Sequence, residues 1–223
     1  MIKAVIFDMF ETLVTHYKRP LYMGKQIAAH MGVPEKKFRE IWDTTEVDRT
    51  LGRITFEAVI DEILTVNQCA SPQLFEEIVR ERVQSKEDCF RLLHPQILPM
   101  LEALRVKGQK IGLITNCYFE ERDVIRNSVM MPYFDVACMS CELGLKKPDP
   151  AIFERCVEEL GVQPEECLYV GDGGSQELEA AQRMGMKPVQ ALWYLAESPE
   201  HPSKRKEAFD GAETPLAVLQ MIR

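Results

Sequence analysis

Nothing in the 223-residue sequence is long and apolar enough to span a bilayer. The longest apolar runs, such as AVIF at 4–7 and IGLI at 111–114, fall far short of the roughly 20 residues a membrane helix needs. An excess of basic residues is also missing: 27 Lys and Arg stand against 35 Asp and Glu, a net charge of −8. Nucleic acid and anionic membranes both call for a basic face, so neither is an expected partner. A secretory leader is not apparent, because MIKAVIFDMF carries an Asp inside its apolar run. Nor is there a disulfide framework. The seven cysteines are odd in number, scattered and mostly embedded in apolar stretches, which suits free thiols in a reducing cytoplasm. Cys138 and Cys141 form a CxxC, but no second Cys/His pair at metal spacing follows it, so both are expected as buried small hydrophobes.

What is present is an ordinary soluble composition, 46% apolar and 28% charged, and enough chain for one large domain or a core with an insert. Ile2–Phe7 reads as a buried strand ending at Asp8. Amphipathic helical stretches follow over 20–31, 34–48, 55–66 and 72–84, with Phe56, Val59, Ile60, Ile63 and Leu64 marking one apolar stripe. Phe38 and Trp42 share helical spacing and read as core. Ser71-Pro72 reads as an N-cap before a proline in the first turn.

From Pro95 the texture changes to alternation. Helix 96–107 precedes strand 110–115, helix 120–130 precedes strand 134–139, and helix 149–160 precedes strand 167–170. Helix 176–184 then precedes strand 188–193, and helix 214–222 closes the series. Continuous apolar strands alternating with helices predict an α/β fold with a Rossmann-like parallel sheet covered on both faces. The expected organisation is an α/β core at 1–13 and 95–223, with an inserted all-helical unit at 14–94. Polar residues 197–206 are expected to form an exposed loop. Residues 14–94 hold 12 Lys and Arg against 13 Asp and Glu, and the remainder 15 against 22, so the acidity belongs to the core.

In open α/β sheets, ligands bind beyond the carboxyl ends of the strands. The residues following the predicted strands are Asp8-Met-Phe-Glu-Thr12, Thr115-Asn116, Lys146-Lys147-Pro148-Asp149 and Gly171-Asp172-Gly-Gly-Ser-Gln-Glu177. Taken singly, each has a plain reading as a cap or a turn. All four at corresponding strand ends, in this order, point to one site.

With FDxxxTL at 7–13, LITN at 113–116, LKKPDPAIF at 145–153 and VGDGGSQELEAA at 170–181, the chain resembles the haloacid dehalogenase-like (HAD) hydrolase superfamily. The helical insert resembles the cap of that superfamily's haloacid dehalogenase and phosphoglycolate phosphatase branch. The resemblance implies that Asp8 is a nucleophile forming a covalent aspartyl intermediate. It implies Mg²⁺ held by the Asp8 side chain, the backbone carbonyl of Phe10 and Asp172, with Glu177 as a further acid near the metal. It makes Lys147 the stabiliser of developing charge, and has Thr115 and Asn116 bind the oxygens of the transferred group. Asp149 reads as the cap of the following helix. Arg49 and Arg53, flanking a bend in the insert, are candidates to clamp an anionic substrate, and His16, Tyr17 and Tyr118 lie near the mouth of the site.

The pattern departs from its phosphatases at one position. They carry a second Asp two residues after the nucleophile, which protonates the leaving group; here Phe10 stands there, and phenylalanine moves no proton. Glu11, where glycine is usual, is a second departure. Three functions stay open. One is a Mg²⁺-dependent phosphatase or phosphotransferase for a small phosphorylated metabolite. The second is a dehalogenase-type C–halogen hydrolase, for which the Gly171-Asp172 form of the last motif is a poor fit. The third is a low-turnover binding or regulatory protein. Partners are expected to be small anionic molecules, and the chain a monomer or homodimer.

Overall fold

The computed structural model describes residues 1–195 and 201–222. In chain order the elements are β1 (Ala4–Phe7), α1 (Gly24–Met31), α2 (Glu35–Trp42), α3 (Glu46–Thr50), α4 (Phe56–Val66) and α5 (Pro72–Arg91). There follow α6 (Ile97–Val106), β2 (Lys110–Thr115), α7 (Phe119–Arg126), β3 (Val136–Met139), α8 (Ser140–Leu143) and α9 (Pro150–Leu160). The last are β4 (Cys167–Gly171), α10 (Glu177–Arg183), β5 (Lys187–Ala191), β6 (Asp210–Ala212) and α11 (Val218–Met221).

Among the described residues the strands form one six-stranded sheet in the order β3-β2-β1-β4-β5-β6, with every pairing parallel. Its central strands are buried on both faces because β-branched and aromatic side chains occupy both sides of the pleat. Val5, Phe7, Leu113, Leu168 and Val170 face one way, against α6 and α11. Ile6, Ile114, Cys138 and Tyr169 face the other way, against α9 and α10. This is the period-2 alternation of a strand turned into two apolar layers. Strand order reverses at β1, which pairs with β2 on one side and β4 on the other. Phe7 stands opposite both Leu113 and Val170, so the ends of these three strands are level. The α/β, Rossmann-like fold expected from the sequence is the one formed.

Helices α1 to α5 run between β1 and α6 and carry an apolar cluster of their own, with Ile27, Phe38, Phe56, Ile60, Ile63 and Ile78 buried. Thr55 caps α4 by accepting from the Ala58 amide at 3.2 Å, and Ser71 caps α5 from the Leu74 amide at 3.4 Å.

Three local expectations need correcting. The helix expected over 34–48 is broken into α2 and α3. In the gap, the Thr44 and Thr45 hydroxyls bond back to the carbonyls of Glu40, Ile41 and Trp42, and such local bonds compete with helix propagation. The helix expected to stop at 84 continues to Arg91, and its added turn carries Lys86 into a buried ion pair. The stretch 197–206 is not simply an exposed loop: His201 is buried, and Ser203 bonds to Asp172. Residues 197–200 of that stretch lie outside the described residues.

Two contacts tie the helical layer to the α/β layer. Gly52 (φ +68°), after α3, lies so close to the start of α8 that a Cβ there would overlap the Cys141 carbonyl oxygen. On the other side, Arg82 and Lys86 of α5 pair with Glu120 and Glu121 of α7. Arg82 Nε lies 3.1 Å from Glu120, Arg82 Nη2 3.0 Å from Glu121, and Lys86 Nζ 2.8 Å from Glu121. All four side chains are at most 7% exposed. Burial alone would raise the Glu121 carboxyl, but Lys86 and Arg82 outweigh it and hold it down at about 2. Glu120 moves the other way, because its burial exceeds what Arg82 offsets.

Gly52→Ala should destabilise the chain by more than the ~1–2 kcal/mol cost of left-handed backbone alone, since the clash is with main chain. A urea midpoint unchanged from wild type would show that the two layers do not depend on this approach. Glu121→Gln should cost about 3–5 kcal/mol at neutral pH by stranding buried cations. Because the Glu121 pKa is depressed from its ordinary 4.5, its contribution is full above pH 4.5 and is lost as pH falls toward about 2. The variant's deficit relative to wild type should therefore shrink over that window, as read by urea titrations at stepped pH.

Candidate active site

The four motif segments converge where the strand order reverses. Asp8 follows β1, and its amide continues the ladder by donating to Val170 O at 2.9 Å. Its carboxylate, 8% exposed, accepts from Lys147 Nζ at 2.5 Å through Oδ1 and from Thr12 Oγ1 at 3.4 Å through Oδ2. Lys147 also pairs with Glu177 and lies 3.4 Å from the Tyr169 hydroxyl, which donates to Glu177 Oε2 at 2.9 Å. Burial alone would lower the Lys147 ammonium, but Asp8 and Glu177 overcome it and hold the pKa above its ordinary value.

Asn116 fixes the segment that carries this lysine. Its Oδ1 accepts from the Lys147 amide at 2.8 Å, and its Nδ2 donates to the Lys147 carbonyl at 3.1 Å. Asn116 therefore acts on the site through the Lys147 backbone, a role that its place in a Thr-Asn turn did not suggest. Thr115 is fully buried at the end of β2, and its Oγ1 has no hydrogen-bond partner among the described residues. A buried hydroxyl left unsatisfied costs about 1–3 kcal/mol, and Thr115 is not among the residues that line the cavity over this end of the sheet.

Asp172 follows β4. Its Oδ1 accepts from the Gly174 amide at 3.0 Å, and its Oδ2 accepts from Ser203 Oγ. Gly171 lacks a side chain of necessity, because a Cβ there would run into the Glu177 carboxylate. Asp8, Asp172 and Glu177 each offer an oxygen within 4.8 Å of the others, and all three are buried. Burial raises the Asp8 carboxyl, with Asp172 adding to the rise, and burial plus the Asp8 charge pushes Glu177 up to about 8. Three buried acids share one ammonium, and they repel one another when ionised. A hard divalent cation with oxygen ligands fits that donor set.

A cavity of about 940 Å³ opens over this end of the sheet and separates it from the helical layer. Lys147 and Asn116 lie on one side of it, and Trp42, Lys86 and Arg82 on the other. Phe10 and Tyr118 also line it, as do His16 and Tyr17. The two arginines of the bend are placed differently. Arg49 is fully buried behind the wall, its guanidinium 3.7 Å from the Trp42 ring centroid and 4.7 Å from that of Tyr118. Its Nη2 donates to Trp42 O at 2.6 Å, while Nε and Nη1 have no partner among the described residues. Arg53 is 64% exposed, pairs with Asp48 at 3.0 Å and is not among the cavity's lining residues. Asp149 caps α9 by accepting from the Ala151 amide at 3.0 Å.

Sequence reasoning missed Arg82, Lys86, Ser203 and Tyr169. Arg82 and Lys86 stand four apart on a helix, a spacing that reads as a solvated face unless the partner helix is known. Tyr169 has the character of an ordinary buried strand residue, and nothing near Ser203 marks it.

The family pattern of the haloacid dehalogenase-like hydrolases matches residues 2–185. The chain is 30% identical over 202 residues to glyceraldehyde 3-phosphate phosphatase of Methanopyrus kandleri, covering 85% of this chain and 83% of that protein. It is 32% identical over 192 residues to phosphoglycolate phosphatase of Aquifex aeolicus, covering 86% and 85%. In fold it is similar to a 2-haloacid dehalogenase from Pseudomonas syringae pv. Tomato (TM-score 0.72, 22% identity, 100% of this chain and 98% of that one). It is also similar to a HAD phosphatase from Thermococcus onnurineus (TM-score 0.66, 21% identity, 99% and 98%). The sheet order, the four strand-end segments and these similarities agree: the chain belongs to the haloacid dehalogenase-like hydrolases.

Proposed function

We propose that the chain is a Mg²⁺-dependent phosphatase or phosphotransferase acting on a small phosphorylated metabolite, with Asp8 as nucleophile. The observation that carries this reading is the buried cluster of Asp8, Asp172 and Glu177 around a single lysine. Displacing halide from carbon brings no phosphate dianion onto the nucleophile and does not call for three acids there. Phosphoryl transfer brings a dianion to the Asp8 carboxylate, and a compensating cation becomes necessary. Two relatives named as phosphatases, each matched over more than four-fifths of its length, support the same substrate chemistry.

In this reading Asp8, Asp172 and the Phe10 carbonyl would hold Mg²⁺, with Glu177 near them, and the ion would supply neutralisation of negative charge. Lys147, bonded to Asp8 Oδ1, aims the carboxylate and adds fixed positive charge where charge develops. Asn116 positions Lys147 through its backbone. Thr115 Oγ1, free of other partners among the described residues, bonds an oxygen of the transferred group. Residues 14–94 act as a cap that closes the cavity and excludes water. Arg49, fully buried and absent from the cavity lining, braces the Trp42–Tyr118 wall and does not itself clamp the substrate.

Phosphate release from acetyl phosphate should require Mg²⁺, stop on chelation and return when the ion is restored. Asp8→Asn should lower kcat on the order of 10³-fold or more. Halide release from a 2-haloacid without metal would reject the reading. Phe10→Asp should raise turnover of poor leaving groups such as alkyl phosphates by roughly 10²-fold, the scale of general acid help. An unchanged preference among leaving groups would mean that the missing acid is not the limitation.

A further inference from the structure

The phosphoryl-transfer reading leaves one requirement without a residue: negative charge develops on the leaving oxygen, and Phe10 offers it nothing. The leaving group departs roughly in line with the attack, away from Asp8. Asp8 stands at the end of the sheet, so that direction is across the cavity toward the helical layer.

The Phe10 ring stacks on the His16 imidazole with centroids 4.8 Å apart and planes at 20°. Lys86 Nζ, from α5, lies 5.4 Å from the centroid of the same Phe10 ring and 2.7 Å from His16 Nε2. His16 Nδ1 meets Glu11 Oε1 at 2.8 Å. With Lys86 donating to Nε2, the proton-bearing nitrogen is Nδ1, and the ring is neutral. Lys86 thus donates to the imidazole, and Glu121, 2.8 Å behind it, opposes the lowering of its pKa by burial and by the Arg82 charge. These two bonds use two of its three N–H groups, and Lys86, Phe10 and His16 all line the cavity that Lys147 lines. Arg82, one turn earlier, binds Glu120 and Glu121, so Lys86 does not neutralise those acids alone.

We propose that Lys86 donates its remaining hydrogen bond to the leaving-group oxygen and stabilises it as an anion, in place of the absent proton donor. It acts as a fixed positive charge and transfers no proton. The Asp8 carboxylate forms a bond to phosphorus, and the bond from phosphorus to the leaving oxygen breaks. The electron pair stays on that oxygen, so that ROPO₃²⁻ gives RO⁻ and the Asp8 acyl phosphate. Water then attacks phosphorus, returning the Asp8 carboxylate and H₂PO₄⁻. The arrangement selects a substrate class: phosphates whose leaving group is stable as an anion, acyl phosphates and phosphates of acidic hydroxyls, over simple alkyl esters.

This assignment rests on the phosphatase reading, and one experiment separates the two. Wild type, Lys86→Met, Lys86→Arg and the Lys86→Met/Glu121→Gln double variant are assayed against acetyl phosphate and aryl phosphates of rising leaving-group basicity. The double variant removes the carboxylate that Lys86→Met would strand, and circular dichroism checks its fold. Lys86→Met, alone or in the double variant, should leave 2,4-dinitrophenyl phosphate turnover little changed. It should lower kcat for phenyl phosphate on the order of 10²-fold, the scale of one lost donor at a developing charge. Lys86→Arg should recover much of that loss. Equal loss across the series, or none anywhere, with Asp8-dependent turnover intact in wild type, overturns the Lys86 assignment alone. Wild-type turnover no greater than that of Asp8→Asn overturns the phosphatase reading and this assignment with it.

Discussion

The Lys147 ammonium is the interaction on which the rest of the site depends. It lies 3% exposed between Asp8 and Glu177, with the Tyr169 hydroxyl beside it. An uncompensated buried charge costs several kcal/mol, so two carboxylates this deep persist only because a cation is held against them. The surrounding geometry follows from placing it. Asn116 grips the lysine's own backbone from the end of β2, Gly171 makes room for Glu177, and β1 and β4, in register, bring Asp8 and Asp172 to the same level. One ammonium is shared among three acids, which is why burial and mutual repulsion raise the Asp8 and Glu177 carboxyls.

A second buried cluster, Arg82 and Lys86 against Glu120 and Glu121, faces the first across the cavity. It has two jobs that pull in the same direction. It joins α5 to α7, which fixes the helical layer over the sheet, and it brings cationic groups to the cavity that Lys147 also lines. The chain is acidic overall, yet the walls that would meet a phosphate carry Lys147 on one side and Lys86 and Arg82 on the other. Net charge therefore does not describe the cavity, where Lys147, Lys86 and Arg82 are too buried for solvent to screen fully.

Much of the architecture was legible in the sequence because it depends on local pattern. The AVIF and KIGLIT runs, the glycines that stop helices and the polar residues after each strand place the sheet and its reactive end with little reference to anything distant. The illegible parts depend on contacts far apart in sequence. Lys86 and Glu121 are 35 positions apart, and each alone looks like a surface residue of an amphipathic helix. Ser203 reaches Asp172 from a stretch whose composition signals only a polar loop. Arg49 could be named as a cation near a bend, but its enclosure between Trp42 and Tyr118 depends on a tertiary packing that no spacing rule encodes.

The two departures in the first motif make sense together. Glu11 adopts φ +61°, a left-handed backbone that glycine takes freely and other residues take at a cost of about 1–2 kcal/mol. Its carboxylate offsets that cost by accepting from Thr15 Oγ1 at 2.5 Å and from the His16 amide at 3.1 Å, and by meeting the His16 ring. Those bonds hold the imidazole flat against Phe10, and the imidazole in turn accepts from Lys86. Burial is the main force lowering the His16 pKa, and the nearby Lys86 charge adds to it, which keeps the ring neutral in that role. Glu11 thus sits where glycine would suffice for the turn, and its side chain orders the chain of contacts that ends on a lysine. Phe10 supplies a flat apolar surface that His16 can stack on and that a carboxylate could not provide. Phe10, Glu11 and His16 thus form one chain of contacts, and it ends on Lys86 of α5.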